Sequence, residues 1–263
     1  MTNIKFLKSN VLEDATYWNV PASAFANTIH TLKGGKKENI WQSSASNSSM
    51  VFEWTRDVDS SADTILISNL KKSALGIYDD YIDVKLESGS GSYGTVFNDT
   101  TVSFTGYNEV DYFNTFTLET ETDFKLTLTY NDNLAAPYST HHVLQGIILG
   151  KGLDLGRDPS DFSYKLKEKQ KQTFTSYTGA AYPENFVVPN QIYSFEYTAL
   201  TDAQLESFFD LLNVYDNKYL CAYASTNDKI FNEKTFAYGE ISRITFSKRK
   251  NNYNNLSFDL TEL

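Results

Sequence analysis

Asn39-Ile40-Trp41-Gln42-Ser43-Ser44, followed by Met50-Val51-Phe52-Glu53-Trp54 and Ala62-Asp63-Thr64-Ile65-Leu66-Ile67-Ser68-Asn69, decides the fold. A polar loop carrying one large aromatic leads into two strand-like runs. Further candidates with apolar alternation follow at 81–86, 101–104, 113–119 and 124–130, separated by turns rich in Ser, Gly and Asn. Short strands at such spacing predict a sandwich or jelly roll. Glu87-Ser88-Gly89-Ser90-Gly91-Ser92-Tyr93-Gly94 reads as the most flexible of the turns, since glycine and serine offer neither a core contact nor a φ restriction.

Composition agrees with a β-rich protein. The 263 residues are 41% hydrophobic and 15% aromatic, enough for real cores in one large domain or two ordinary ones. Phe and Tyr, 18 each, far outnumber the 2 Met, which favours strands over helices. A formal net charge of −10 disfavours nucleic acid as a direct partner, because phosphate neutralisation needs clustered cations. The one basic run, Lys165-Leu166-Lys167-Glu168-Lys169-Gln170-Lys171, lacks interleaved aromatics and reads as a solvated edge strand or loop.

A single cysteine, Cys221, excludes an internal disulfide, and the start of the chain shows no charged segment leading into an apolar one. Folding in a reducing cytoplasm is the expectation, without membrane insertion. Cys221 lies in the alternating run Tyr219-Leu220-Cys221-Ala222-Tyr223, where a small buried hydrophobe is the simplest role.

Asn131-Asp132-Asn133-Leu134-Ala135-Ala136-Pro137 has the chemistry of a boundary, and predicts one domain over 1–133 and a second over 134–263. His142-Val143-Leu144-Gln145-Gly146-Ile147-Ile148-Leu149-Gly150, the most apolar strand signal, is expected inside the second domain or between the two. The turn-rich passage 151–190 reads as a docking arm. A helix is predicted over 201–213: Thr201 caps it, Gln204 completes a capping box, and Leu205, Phe208, Phe209 and Leu212 recur at helical spacing. Strands flank it at 191–197, 219–224, 235–246 and 255–260, an antiparallel β domain with one packed helix.

The first region resembles the discoidin-like (F5/8 type C, galactose-binding-like) family. The resemblance rests on Trp41-Gln42-Ser43, Val51-Phe52-Glu53, the Asp-rich turn Asp57-Val58-Asp59, and Ile65-Leu66-Ile67-Ser68-Asn69. It implies an N-terminal jelly-roll β-sandwich whose loops at one end bind sugar or lipid, with Trp41, Asn27, Asn39 and Gln42 as candidate ligand-binding residues. Aromatic faces stack on sugar rings and amides pair with hydroxyls. Because large aromatics are mostly buried, Trp41 reads first as a plug at the bottom of the sandwich, and Tyr107, Tyr112 and Phe113 admit the same two readings.

The second region resembles small tail and baseplate proteins of tailed bacteriophages. It does so in Tyr193-Ser194-Phe195-Glu196-Tyr197-Thr198-Ala199-Leu200-Thr201-Asp202-Ala203-Gln204-Leu205, in Phe236-Ala237-Tyr238-Gly239-Glu240-Ile241, and in Leu256-Ser257-Phe258-Asp259-Leu260. This resemblance implies a structural virion subunit. Its partners would be other virion proteins and copies of itself in a ring-like assembly, with host glycans as the alternative ligand.

Nothing in the spacing of reactive residues points to an enzyme. His30, His141 and His142 have no partner at metal-ligand or triad spacing, and adjacent residues of a strand face opposite ways. The Gly-rich stretch lacks the Lys of a phosphate-binding loop, so no cofactor is expected. Asp154, Asp158 and Asp161 read as turn formers rather than calcium ligands.

Overall fold

The computed structural model describes residues 4–7, 12, 15–19, 41–42, 49–72, 81–103, 109–131, 142–144, 146–166, 174–175, 181–182, 191–213, 219–224, 231, 236–248 and 253–262. Among the described residues the chain is mostly β: a sandwich and an antiparallel sheet with one helix packed against it, as the sequence predicts.

The sandwich is built on two long strands, β4 (Ser49–Lys72) and β7 (Glu109–Asn131), antiparallel along almost their whole length. Each was expected as two short strands. They remain continuous because register shifts between Thr55 and Ser60, between Ala62 and Thr64 and between Ile67 and Leu70 let the pair bend, as bulges do. Asp57-Val58-Asp59 lies in the first of these irregular stretches rather than in a turn between strands.

The front half of the pair is joined by β2 (Tyr17–Asn19), β5 (Tyr81–Gly89) and β6 (Gly94–Ser103), and the back half by β3 (Trp41–Gln42), β8 (His142–Leu144) and β9 (Gly146–Gly150). Met50, Phe52 and Trp54 from the front enclose one core with Ile65, Ile67, Ile147 and Leu149 from the back. Trp54 stacks on its register partner Phe124 at 6.2 Å. The Gly/Ser stretch expected to be most mobile is the β5–β6 hairpin connection, with Ser88 and Gly94 paired.

The second sheet runs β10 (Gly152–Leu153), β1 (Ile4–Leu7), β15 (Tyr219–Ala224), β16 (Phe236–Lys248), β17 (Asn254–Glu262), β14 (Gln191–Leu200), β11 (Asp161–Leu166). It does not follow a junction near residue 133. The N-terminal strand β1 belongs to it, while 142–150 pair with the sandwich. Burial drives this exchange. Phe6 is fully buried and meets Phe195 at 5.7 Å, although β1 and β14 are four strand steps apart. A flat sheet would separate them by about 19 Å. The sheet is therefore strongly curled around an aromatic core of Phe6, Phe195, Phe208 and Phe258.

Helix α1 (Asp202–Asn213) closes that core. The capping box forms: Gln204 N–H donates to Thr201 Oγ1 at 3.2 Å, and Thr201 N–H donates to Gln204 Oε1 at 2.8 Å. Phe208 and Leu211 are buried, Leu205 and Leu212 pack at the margin, and Phe209 instead meets Phe246 at the surface.

Part of the expected docking arm is framework. β10 and β11 are sheet strands and Leu155 is fully buried, so removing 152–189 would strip core as well as surface. Within 167–190, β12 (Phe174–Thr175) and β13 (Ala181–Tyr182) pair as a separate ribbon; the remaining residues lie outside those described.

The two bodies meet in a buried seam. Leu66 and Ile148 from the sandwich face Leu7, Cys221, Tyr223 and Phe236 from the curled sheet. This explains the uninterrupted apolar run of β9: Ile147 and Leu149 point into the sandwich and Ile148 into the seam, so no position faces water.

Candidate functional site

Of the residues expected to bind ligand, Trp41 and Gln42 form β3, with backbones paired to Leu144 and Val143. Their side chains, together with Asn27, Asn39 and Tyr107, lie outside the described residues. Tyr112 is buried in the sandwich core, where its hydroxyl donates to Asp99 at 3.3 Å, and Phe113 packs against Tyr223 in the seam. Tyr112 takes the buried reading, and Phe113 is partly buried against the seam. Burial pushes the Tyr112 phenol well above its usual range, and the Asp99 carboxylate adds to the shift.

The structure assembles a different constellation on the outer face of the front layer. Because Phe52, Trp54, Phe124 and Leu126 point inward, Glu53, Thr55, Asp123 and Lys125 point outward. Register then lines up Asn19, Glu53, Lys125 and Glu87 across four strands. Asn19 Nδ2 donates to Glu53 Oε2 at 3.0 Å. Glu87 receives Lys85 at 2.8 Å on one oxygen and Lys125 at 3.2 Å on the other. The hydrogen bond from Lys85 foremost, with Lys125 beside it, holds the Glu87 carboxyl below its ordinary value against the opposing effect of burial.

Two exposed aromatics flank this row. Tyr17, on β2, is 57% exposed, and Tyr93, in the β5–β6 connection, is 40% exposed. The ammonium of Lys125 lies 5.1 Å from the centre of the Tyr93 ring, a cation–π contact that fixes the ring's attitude. Partial burial, then the Glu53, Asp123 and Glu87 carboxylates, raise the Tyr93 phenol, so it stays a neutral donor at neutral pH. Asp123 anchors the connection, accepting from Gly91 N–H at 3.4 Å and from the Thr55 and Thr122 hydroxyls. The turn is thereby tied to the sheet beneath it.

Chemically, this is a rigid polar strip with aromatic flanks. Its carboxylates outnumber its ammonium groups, so it disfavours anions, and the Lys125 donor lies between the Glu53 and Glu87 acceptors along the row. Strand alternation alone reveals that Glu53 and Lys125 face outward. That they share a row with Asn19 and Glu87 depends on pairings between segments far apart in sequence.

Other candidates resolve structurally. Asp154 accepts from Gly156 N–H at 2.7 Å, a local turn that places Gly156 at φ 70°, and its other oxygen meets Lys5 at 3.3 Å. Among the described residues no three His, Cys, Asp or Glu side chains form a metal-binding group. Cys221 is buried in the seam, and that burial pushes its thiol well above the usual range. No helix among the described residues is long and apolar enough to cross a membrane.

No family model matches the sequence, and comparison with curated proteins finds no match. Solved structures similar to the chain include SpGH29, at 16% identity and a TM-score of 0.40 over 55% of this chain and 28% of that one. A Ruminococcus gnavus GH29 fucosidase in complex with fucose is similar at 14% identity and a TM-score of 0.41, over 56% of this chain and 27% of that one. Chitosan-binding module 1 from the chitosanase/glucanase of Paenibacillus sp. IK-5 is similar at 12% identity and a TM-score of 0.40, over 54% of this chain and 98% of the module.

Proposed function

We propose that the chain is a non-catalytic glycan-binding protein that uses the outer face of its front layer. The observation that carries this reading is the in-register row Asn19–Glu53–Lys125–Glu87 with Tyr17 and Tyr93 exposed beside it. Sugars need flat apolar faces for their C–H surfaces and fixed donors and acceptors for their hydroxyls. A strip already ordered by internal ion pairs has little side-chain entropy left to lose on binding. The excess of carboxylates selects neutral or amine-bearing sugars over uronates.

A glycan array followed by calorimetry tests the proposal. Wild-type protein should bind neutral or amino-sugar glycans, and Tyr93→Ala or Tyr17→Ala should weaken binding by about tenfold, equivalent to about 1.4 kcal/mol. Equal binding by folded variants and wild type, or no binding to any neutral glycan, refutes the assignment.

A second reading places the chain as a tail or baseplate subunit of a bacteriophage particle, built on neighbouring virion proteins and on copies of itself. What favours it is exposed apolar surface away from the glycan strip, on the distal half of β16, where Ile244 and Phe246 face solvent. Immunogold labelling of purified particles tests it, and absence of the chain from particles refutes it.

A further inference from the structure

Two surface patches of opposite character lie on the two bodies of the chain. The first is the far end of β16. Its pairing with β15 covers only Phe236 to Glu240, so from Ser242 to Lys248 its outer edge has no strand partner among the described residues. All seven of those residues are exposed. A register shift between Ser242 and Thr245, with Arg243 in the left-handed region at φ 51°, marks a bulge that bends the overhang. Phe246 is 60% exposed, one ring edge resting on Phe209 at 5.5 Å, and Ile244 is exposed beside it. Arg243 and Lys248 meet Asp259 and Asp202 only at 3.8 Å and remain mostly in solvent. In a chain of net charge −10, the segment Ser242-Arg243-Ile244-Thr245-Phe246-Ser247-Lys248 carries no acid.

The second patch is the bend of the sandwich. Asp57, Val58 and Asp59 are exposed there, Val58 at 60%. The nearby cation, Arg56, is turned onto the Ser60 hydroxyl. This patch is acidic around an apolar centre; the first is basic around one.

We propose that the β16 overhang of one copy docks on the acidic bend of a second copy. Charge decides the occupant: two overhangs face to face would oppose like charges, whereas overhang on bend pairs Arg243 and Lys248 with Asp57 and Asp59 while burying Phe246 and Ile244 against Val58. The contact uses different surfaces on its two sides. It therefore leaves a free overhang and a free bend on every pair, and grows into a ring or a filament instead of stopping at a dimer. This deepens the assembly reading and rests on it for its biological setting; glycan binding is independent of it.

Sedimentation velocity on the full chain tests it. Wild-type protein should associate at low salt and dissociate as salt rises. Phe246→Glu with Lys248→Glu, and separately Val58→Ser with Asp59→Ser, should each weaken association by about thirtyfold or more, the size of a hot-spot loss. Mixing these two variants should restore a one-to-one pair and nothing larger, since one intact overhang meets one intact bend. The milder Phe246→Ser, checked by circular dichroism, guards against misfolding as the cause. Monomeric wild type at low salt, unchanged association in either folded variant, or a mixture that fails to pair overturns the proposal. Association without incorporation into particles would refute the tail reading and leave the contact standing.

Discussion

The hydroxyl of Tyr223 lies 3.3 Å from Oγ1 of Thr64, joining the curled sheet to the sandwich inside the buried seam. Burial pushes this phenol well above its usual range, while the Thr64 contact pulls the other way, so the group stays protonated at neutral pH. Thr64 also donates to Asp63 at 2.8 Å, and Asp63 accepts the backbone N–H of Gly152 at 2.8 Å. One polar chain thus crosses an otherwise apolar interface.

Gly152 is where that chain leaves no room. A Cβ there would come within 2.1 Å of the Tyr223 hydroxyl oxygen but 3.4 Å from the ring carbon beneath it. Gly152→Ala should therefore destabilise the protein by about 1–3 kcal/mol, the cost of overpacking. Tyr223→Phe alone should cost about 1 kcal/mol, the net value of a hydrogen bond. Combined, the two should cost less than their sum, because the phenylalanine lacks the clashing oxygen. Urea denaturation of the four proteins measures the coupling, and strict additivity would show that the clash is relieved elsewhere.

Cys221 reports on the same seam. Its burial and raised thiol pKa predict negligible reaction with a thiol reagent in the native state, and reaction on unfolding. The labelling rate in increasing urea, set beside far-ultraviolet circular dichroism, distinguishes a seam that opens first from one that opens with the sheets. Rapid native labelling would contradict the buried placement.

Glu87 supplies a pH signature. Its pKa is lowered from an ordinary value of 4.5, so its ion pairs stabilise the fold above that pH, and the contribution is lost as pH falls through the lowered folded value. Glu87→Gln should flatten the acid limb of a melting-temperature profile and change little in its shape above neutrality. An acid limb identical to wild type would remove Glu87 from the account.

The capping box is separable from the rest. Thr201→Ala should cost about 0.5–2 kcal/mol by freeing N–H groups at the start of α1. Gln204→Ala should cost at least as much, since Gln204 Nε2 also donates to the Leu155 carbonyl and so ties α1 to the turn after β10. Thermal melts decide the order of the two.

Local patterning in the sequence determined the longer alternating strands, the helix and its cap, and the two-sided burial of 146–150, though not β1, β2, β10 or β11, because alternation, helical spacing and capping chemistry act over a few neighbours. Only the tertiary structure decided that Phe6 crosses to the distant sheet, that β4 and β7 run unbroken through a bend, and that Asn19, Glu53, Lys125 and Glu87 share one row. Those outcomes depend on which strands pair and in what register. Both are set by the closing of whole cores between segments far apart in sequence, and no local stretch carries that information.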